Sequence, residues 1–323
     1  MKSLGPLLAQ IQLGPESASN FSQREDMLFL GLILVTGSVL LAIAAVVIYF
    51  LAKYRRRAWA DRSNPVNSAV GIETVWTIVP FLIFLGFFGW GADIYLHESS
   101  VPANAIEIGV IGKQWMWQLQ HLEGNREIDE LHVPVNKNIK LLMTSQDVIH
   151  SFAIPAFRIK QDVLPGRYTA QWFRPTRTGT YMIYCNQYCG AFHANMIGKV
   201  VVMSAEDYAR WLKGGQDNIS VVQTGASLFH SLGCSGCHSP NPVVRAPLLN
   251  GLYGSQVPLQ DGRVVEADEA YIRDCILAPN VQVPASYQPL MPSFAGKLSE
   301  EQLFALVSYV KSLRDTPLYQ VSP

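Results

Sequence analysis

One segment of this sequence reads Cys185-Asn186-Gln187-Tyr188-Cys189-Gly190-Ala191-Phe192-His193-Ala194-Asn195-Met196. It supplies two thiols, an imidazole and a thioether within a short stretch, and a further imidazole, His150, lies upstream. Soft sulfur ligands combined with imidazole select copper over the hard cations. The segment therefore predicts a copper site.

The two cysteines bear on how many copper ions are held. A mononuclear blue copper site needs only one cysteine. Cys185 and Cys189 stand four residues apart after the β-rich run 180–184, so both sulfurs can bridge two ions. Each copper would take one histidine, with Met196 and a backbone carbonyl as weak axial ligands. A structural zinc ion and a disulfide are the alternatives, and neither explains the methionine.

A second motif reads Cys234-Ser235-Gly236-Cys237-His238. In this pattern two cysteines attach a c-type haem and the histidine binds its iron. Met291 follows before a predicted terminal helix, where small cytochromes c resemble one another in carrying the sixth iron ligand. His/Met ligation raises the reduction potential of the haem, which suits an electron carrier. The alternatives are a zinc or redox dithiol site for the cysteines and a core methionine for Met291.

Two apolar runs, 27–52 and 75–94, are long enough to cross a bilayer, which needs about 20 residues. A signal peptide is the alternative for the first run. However, Glu16, Glu25 and Asp26 precede it, where a signal peptide would carry a basic segment. The sequence therefore predicts a transmembrane helix hairpin over 27–96.

A basic cluster lies between the two runs. Its members are Lys53, Arg55, Arg56, Arg57 and Arg62. Cytoplasmic loops are enriched in Lys and Arg, so the hairpin loop is predicted to be cytoplasmic. Trp90 and Tyr95 then fit the outer aromatic belt. Residues 1–26 form an extracytoplasmic N-terminal segment, and everything after the hairpin is extracytoplasmic.

The region 97–213 predicts an all-β domain. Short β-rich runs that alternate apolar and polar residues are separated by Pro, Gly and Asn, which is typical of a sandwich or Greek-key barrel. The runs are 106–111, 139–144, 168–173, 180–184 and 199–203. A short amphipathic helix over 205–213 closes the domain.

The region 221–323 predicts an all-α cytochrome c domain. Helical patterns cover 221–232 and 268–277, and the pair Ser299 and Gln302 forms a capping box that opens a final helix ending near Leu313. A flexible linker over 214–220 would hold the two domains at an effective concentration on the order of millimolar.

Composition limits the possible partners. The chain has 25 Lys and Arg against 25 Asp and Glu, without the basic excess of a nucleic-acid-binding protein. Charged residues make up 15% and apolar residues 49%, which is consistent with a membrane-embedded part. The five cysteines are an odd number and argue against a simple disulfide framework. The fifth, Cys275, shares a helical face with Ile272 and Ile276 and is interpreted as a buried structural thiol.

Together with the copper segment, three motifs resemble the family of cytochrome c oxidase subunit II. They are Glu73-Thr74-Val75-Trp76-Thr77-Ile78-Val79-Pro80, Gln114-Trp115-Met116-Trp117 and Lys160-Gln161-Asp162-Val163-Leu164-Pro165-Gly166-Arg167. The resemblance spans 29–203, and the fused cytochrome c makes the chain similar to the caa-type branch. It implies a cupredoxin-like domain with a dicopper (CuA) centre. The implied ligands are His150, Cys185, Gln187 through its carbonyl, Cys189, His193 and Met196.

The resemblance also implies roles for three other side chains. Trp115 would be the aromatic residue at which electrons enter, although a plain core or surface aromatic is the alternative. Glu73 would lie at the cytoplasmic mouth of a proton channel, or be merely an interfacial acid. Most members of the family have glutamate where this chain has Gln187, and that carboxylate helps to hold magnesium at the boundary with subunit I. A neutral amide is a weaker ligand for a hard cation, so we expect a weak or absent magnesium site.

These features predict the subunit through which electrons enter an oxygen-reducing, proton-translocating oxidase of a prokaryotic plasma membrane. Electrons would pass from an external donor through haem c and two copper ions to subunit I. Subunits I and III are the expected partners. The donor would be a cytochrome c, another small redox protein or a quinol-oxidising complex.

Other functions fit parts of the same pattern. One alternative is the equivalent subunit of a copper-containing nitric oxide reductase, and another is a stand-alone membrane redox carrier. Quinol oxidases are similar in fold but lack the copper ligands, so the retained ligands disfavour that class.

Overall fold

The computed structural model describes residues 14–56, 69–214, 219–239 and 246–315. The chain begins with two long helices, α1 (Ser22–Lys53) and α2 (Val70–Ser99). Each helix exceeds the length that a bilayer requires and exposes large apolar side chains along its surface, as a lipid-facing helix must. The two predicted spans lie within α1 and α2.

The basic cluster follows the end of α1. Lys53, Arg55 and Arg56 lie there, whereas Arg57 and Arg62 are outside the described residues. Helix α1 begins at Ser22 rather than at residue 27, because its first turn is polar and bonds to the β domain. Ser22 donates from Oγ to the Ala156 carbonyl at 3.1 Å.

Both helix ends opposite the basic cluster contact the β domain. The ring of Phe21, just before α1, packs 4.8 Å from the ring of Trp172. His97, in the last turn of α2, lies 6.0 Å from the same tryptophan ring. Lys53, Arg55 and Arg56 therefore lie at the opposite end of the hairpin from the β domain, as the predicted topology requires.

The β domain consists of two five-stranded sheets packed face to face. The first sheet has the order β3-β2-β1-β5-β8 and the second the order β4-β10-β9-β6-β7. The strands are β1 Ile106–Lys113, β2 Met116–His121, β3 Arg126–Ile128, β4 Glu130–Pro134, β5 Ile139–Ser145, β6 His150–Ile154, β7 Ile159–Val163, β8 Thr169–Phe173, β9 Gly179–Cys185 and β10 Ile197–Met203. The predicted all-β sandwich is confirmed, and helix α3 (Ala205–Gly214) follows it.

Strand β9 illustrates how the sequence pattern positions a functional side chain. Tyr181, Ile183 and Cys185 are buried, and the residues between them are exposed. Because side chains alternate across a strand, this period of two turns Cys185 toward the interior at the end of β9.

The C-terminal domain is mainly helical. It contains α4 (Val221–Ser231), a short hairpin of β11 (Gln256–Pro258) and β12 (Val264–Glu266), α5 (Glu269–Leu277) and α6 (Glu300–Ser312). The predicted capping box is confirmed, since Gln302 donates its backbone N–H to Ser299 Oγ at 3.3 Å and Ser299 donates its N–H to Gln302 Oε1 at 3.0 Å. Most of the predicted linker, 215–218, is outside the described residues.

Candidate metal and cofactor sites

The sulfur ligands lie on the connection between β9 and β10. Cys185 ends β9, a loop carries Cys189, a single 3₁₀ turn spans His193–Asn195, and Met196 precedes β10. His150 opens β6, which pairs with β9 in the same sheet. Strand pairing therefore brings the distant histidine to the cysteine loop.

The donor atoms form a compact cluster. The two cysteine Sγ atoms are 3.7 Å apart, and both residues are free thiols. Cys185 Sγ lies 3.9 Å from Nδ1 of His150, and Cys189 Sγ lies 3.5 Å from Nδ1 of His193. Met196 Sδ is 3.9 Å from Cys189 Sγ. Two thiolates with one imidazole facing each are a donor set that fits two bridged copper ions.

The Gln187 carbonyl completes the cluster. Its oxygen lies 3.3 Å from Cys185 Sγ, while the side chain of Gln187 is exposed. The main chain and the side chain of Gln187 thus have separate environments, so the amide can change without removing the carbonyl donor.

The cluster is buried and electrostatically biased toward a thiolate. Burial raises the pKa of the Cys185 thiol, but hydrogen bonds with His150 and with backbone groups outweigh burial and lower that pKa to about 6. Burial and the neighbouring Cys185 raise the pKa of Cys189 to about 12. Without a cation only one thiol ionises readily, and metal ions supply the charge that allows both to do so.

Two residues that the sequence analysis did not assign hold the ligands in place. Asp147 Oδ1 accepts a hydrogen bond from His150 Nε2 at 2.8 Å, which leaves Nδ1 directed at the sulfur atoms. Gln114 donates from Nε2 to the Cys189 carbonyl at 2.8 Å. Asp147 precedes His150 by three residues, and this spacing was the only sequence signal for its role.

Trp115 packs against the same loop. Its ring lies 4.9 Å from that of Phe192 in an edge-to-face arrangement. Gly190, with φ of 119°, faces it so closely that an added Cβ would lie 3.2 Å from the indole. Trp117, by contrast, is fully buried against His150 and Phe152.

The haem motif opens onto an apolar cavity of about 550 Å³ in the C-terminal domain. Cys234, Cys237, His238 and Met291 all line it, so the fold brings the four predicted haem ligands together. Leu306 and Val310 of α6 form part of its wall. A largely apolar cavity with these convergent donors fits a covalently attached haem.

The orientation of His238 suits iron ligation. Its Nδ1 donates a hydrogen bond to the Pro247 carbonyl at 2.8 Å. Because a carbonyl oxygen can only accept a hydrogen bond, Nδ1 carries the hydrogen. The lone pair of Nε2 is then available to bind iron.

Cys275 lies in the wall of the same cavity. Burial raises the pKa of its thiol to about 11, so the thiol stays protonated and unreactive.

Elsewhere, His121 and His132, which have no predicted ligand role, share the carboxylate of Glu127. These three side chains form a hydrogen-bonded group in the β domain.

Glu73 lies in the first turn of α2, at the same end of the hairpin as the basic cluster. Its Oε1 accepts the backbone N–H of Ala69 at 3.3 Å, and its side chain is exposed. It is far along the chain and the helix from the copper loop, so it belongs to neither of the two sites above.

Three family models match successive parts of the chain. "Cytochrome C oxidase subunit II, transmembrane domain" matches residues 7–89, "Cytochrome C oxidase subunit II, periplasmic domain" matches 119–205, and "Cytochrome c" matches 222–314. The cytochrome c oxidase subunit 2 of Cereibacter sphaeroides is 30% identical over 234 residues, which cover 58% of this chain and 77% of that protein. This chain belongs to the cytochrome c oxidase subunit 2 family.

Other relatives of this subunit II are similar over different lengths. The cytochrome c oxidase subunit 2 of Alkalihalophilus pseudofirmus is 27% identical over 300 residues, covering 87% of this chain and 85% of that protein. The crystal structure of the periplasmic domain of subunit II of cytochrome oxidase of Bradyrhizobium japonicum is 31% identical, with a TM-score of 0.36, and covers 38% of this chain and 100% of that one.

The family fixes the general role of the two sites. Subunit II is a membrane-anchored subunit of a cytochrome c oxidase, is associated with subunit I and carries a periplasmic domain. The periplasmic-domain family implies copper at the sulfur cluster, and the cytochrome c family implies haem c in the cavity. The donor atoms described above fit both groups.

Proposed function

We propose that this subunit passes electrons one at a time from an external donor, by way of haem c and a dicopper centre, to subunit I, which reduces oxygen. The observation that carries the proposal is the pair of free cysteine sulfurs 3.7 Å apart, with one imidazole Nδ1 facing each. When bound, a bridged copper pair supplies one-electron chemistry in which the charge change is shared between two ions. The buried β scaffold limits ligand movement and so favours fast transfer.

The proposed ligand assignments follow the geometry. His150, Cys185, Cys189, His193, Met196 and the Gln187 carbonyl would hold two copper ions. Cys234 and Cys237 would form the thioether bonds to haem c, and His238 and Met291 would bind its iron. Asp147 and Pro247 orient two of the three ligand histidines, His150 and His238.

Spectroscopy on the purified complex tests the copper proposal. One electron shared by two copper nuclei gives a paramagnetic resonance signal split by both nuclei, and a pyridine haemochrome reports haem c. We expect both signals in the native complex, and loss of two copper ions and of the resonance signal in Cys185→Ser, with haem c retained. A complex that holds one redox-silent ion or a disulfide at Cys185 and Cys189 would overturn the proposal. Activity assays with oxygen and with nitric oxide identify the acceptor.

Trp115 is proposed as the entry point for electrons that a donor delivers directly to the copper domain, a route separate from the one through haem c. Its contacts with Phe192 and Gly190 put the indole directly over the cysteine loop. We expect Trp115→Ala to slow intermolecular electron transfer while the copper spectrum stays the same. An unchanged intermolecular rate would contradict this role.

Glu73 is proposed as the acid at the cytoplasmic mouth of a proton channel. Its place in the first turn of α2, at the basic-loop end of the hairpin, supports this role. We expect Glu73→Gln to slow proton uptake, and unaffected uptake would refute the assignment.

We further propose that subunit III is a partner and that the complex lies in a prokaryotic plasma membrane with both termini outside.

A further inference from the structure

The cytochrome domain lies against the outer face of the first β sheet through four charged side chains. Glu107 of β1 and Lys140 of β5 belong to the copper domain, and Glu269 of α5 and Lys311 of α6 belong to the cytochrome domain. Lys140 Nζ lies 3.0 Å from Glu107 and 2.5 Å from Glu269. Lys311 Nζ lies 2.5 Å from Glu107 and 2.7 Å from Glu269. These four residues are called the interdomain charge cluster below.

The interdomain charge cluster is neutral and mostly buried. The side chains of Glu107, Lys140 and Glu269 are 7%, 12% and 10% exposed. Each lysine touches both carboxylates, so removal of any one charge leaves its partners uncompensated in a low-dielectric interface. A geometry of this kind specifies one relative position of the two domains.

An apolar contact beside the interdomain charge cluster makes the two domain surfaces complementary in shape as well as in charge. The ring of Phe304 lies over Gly109 of β1, where an added Cβ would approach the ring to 2.9 Å. Leu142 and Tyr168 of the copper domain share one buried cluster with residues of α5 and α6. The outer face of β1 is therefore complementary to α6.

Arg273 provides a second anchor on α5. Its side chain is 2% exposed, and Nη1 donates to the Gly166 carbonyl at 2.5 Å. Nη2 pairs with Glu300 at 2.9 Å, and the guanidinium lies 5.3 Å from the ring centre of Tyr168. Gly166 follows β7, whose last residue Val163 pairs directly with His150.

The docking elements also reach both cofactor sites. Ile272 of α5 and Leu306 of α6 line the haem cavity. On the other side of the interface, β1 continues to Gly112, where an added Cβ would lie 3.0 Å from the ring of His150. The wall of the haem cavity is thus connected to His150, a proposed copper ligand, by two routes of contacting atoms. One runs through β1, and the other runs through residues 163–166.

We propose that the interdomain charge cluster and Arg273 are positioning residues that hold the cytochrome domain in one docked position, so that electrons from its haem reach the copper pair on the His150 side. This inference rests on the proposed function. Each transfer moves one electron: iron in the cavity goes from Fe(II) to Fe(III), and the copper pair goes from Cu(II)Cu(I) to Cu(I)Cu(I). No bond forms or breaks, and no proton moves. The linker then only joins the two domains, and it does not determine which of their surfaces are in contact.

The first test separates docking from tethering. A protease recognition sequence is inserted between Gly214 and Ile219 in the full chain, and the purified oxidase complex is cleaved and passed over a sizing column. We expect the cytochrome fragment to stay with the complex in the parent protein and to be released in Lys311→Met and in Glu107→Gln. Lys311→Arg should retain it, because the charge is kept. Release of the fragment from the parent protein overturns the proposal.

A matched control and an independent variant sharpen this test. Arg263→Met breaks an exposed ion pair with Asp261 in the same domain, and should leave the fragment bound. Gly109→Leu should release the fragment without any change of charge, because the new side chain meets Phe304. The haem and copper spectra of every variant report whether each domain is folded. Retention of the fragment in both Lys311→Met and Gly109→Leu would refute the assigned interface.

The second test measures the transfer step itself. In the uncleaved complex, Lys311→Met should slow single-electron transfer from haem c to copper at least tenfold, with the absorption spectra, the copper resonance signal and both reduction potentials unchanged. Lys311→Arg should restore the rate. An unchanged rate in Lys311→Met overturns the positioning role. If copper and haem signals are present and oxygen is still reduced, the proposed function stands even when this inference fails.

Discussion

His150 Nε2 donates a hydrogen bond to Asp147 Oδ1 at 2.8 Å, while Asp147 Oδ2 accepts the backbone N–H of Gln114 at the same distance. The carboxylate therefore connects the imidazole that faces Cys185 to the segment that carries Trp115. Such partners fix the tautomer of a ligating histidine and raise its basicity.

We predict that Asp147→Ala weakens copper binding by about 10–100-fold, the usual effect of removing such a partner. Copper content after dialysis against a graded chelator series measures this. Asp261→Ala removes an exposed carboxylate in the other domain and should have no effect on copper. Equal copper retention in both variants would contradict the orienting role of Asp147.

Gly190→Ala should lower both copper content and stability. The residue has φ of 119°, and the new Cβ would lie 3.0 Å from Gln114 Nε2 and 3.2 Å from the Trp115 ring. A side chain forced into such a backbone region costs about 1–3 kcal/mol, and the contacts displace the Cys189 loop as well.

Gly262→Ala is the matched control for Gly190→Ala. Gly262 has φ of 86° but open space around its Cβ position. We expect comparable backbone strain, seen in thermal unfolding, with copper content unchanged. If both variants lose copper equally, the close approach of Trp115 is not what requires glycine at position 190.

Met291→Leu should lower the reduction potential of haem c while the haem stays covalently attached. Loss of the thioether ligand changes the potential by on the order of 0.1–0.3 V, within the roughly 0.8 V range that axial ligands set. Spectroelectrochemical titration at the haem band measures it. Met182→Leu changes an exposed methionine of β9 and should leave the potential as it is. An unaltered reduction potential in Met291→Leu would show that Met291 is a core residue and not a haem ligand.

Docking of the cytochrome domain should be lost at acid pH. Burial raises the pKa of Glu269, but Lys140 and Lys311 outweigh burial and lower it from 4.5 to about 2; Glu107 and the Tyr253 hydroxyl also face this carboxylate. Because the docked-state pKa is the lower one, the contribution is complete above about pH 4.5 and disappears as the pH falls toward 2. Release of the cleaved fragment as a function of pH measures this. Glu269→Gln should release the fragment already at neutral pH, because it removes the same carboxylate charge, and release near neutral pH in the parent protein would contradict the prediction.

Gln187→Glu should increase magnesium binding and leave copper unchanged. The exposed side chain gains a hard anionic oxygen, whereas the carbonyl that faces Cys185 is not altered. Metal analysis of the complex gives the magnesium content. Asn186→Asp adds the same charge one residue away and controls for a general attraction of cations. Stoichiometric magnesium in the parent protein would show that Gln187 does not weaken the site.

The sequence alone was sufficient to predict the features whose residues are close together in the chain. Cys185, Cys189, His193 and Met196 fall within one loop, and Cys234, Cys237 and His238 within one turn, so their chemistry is visible as spacing. The spans and the alternating strands were equally visible, because burial in lipid or between sheets imposes a period on the sequence. The start of the final helix at Ser299 followed from local capping, which depends only on neighbouring residues.

Only the tertiary structure decided which ordinary residues support these sites. Asp147 and Gln114 become part of the copper site because strand pairing and a turn bring them there. Although they lie near His150 and Trp115 in the sequence, neither residue type by itself signals a supporting role. Glu107 and Lys311 are 204 residues apart, and each resembles any surface charge until β1 and α6 pack together. Long-range contacts of this kind arise from the register of strands and the packing of helices, and local spacing holds no record of them.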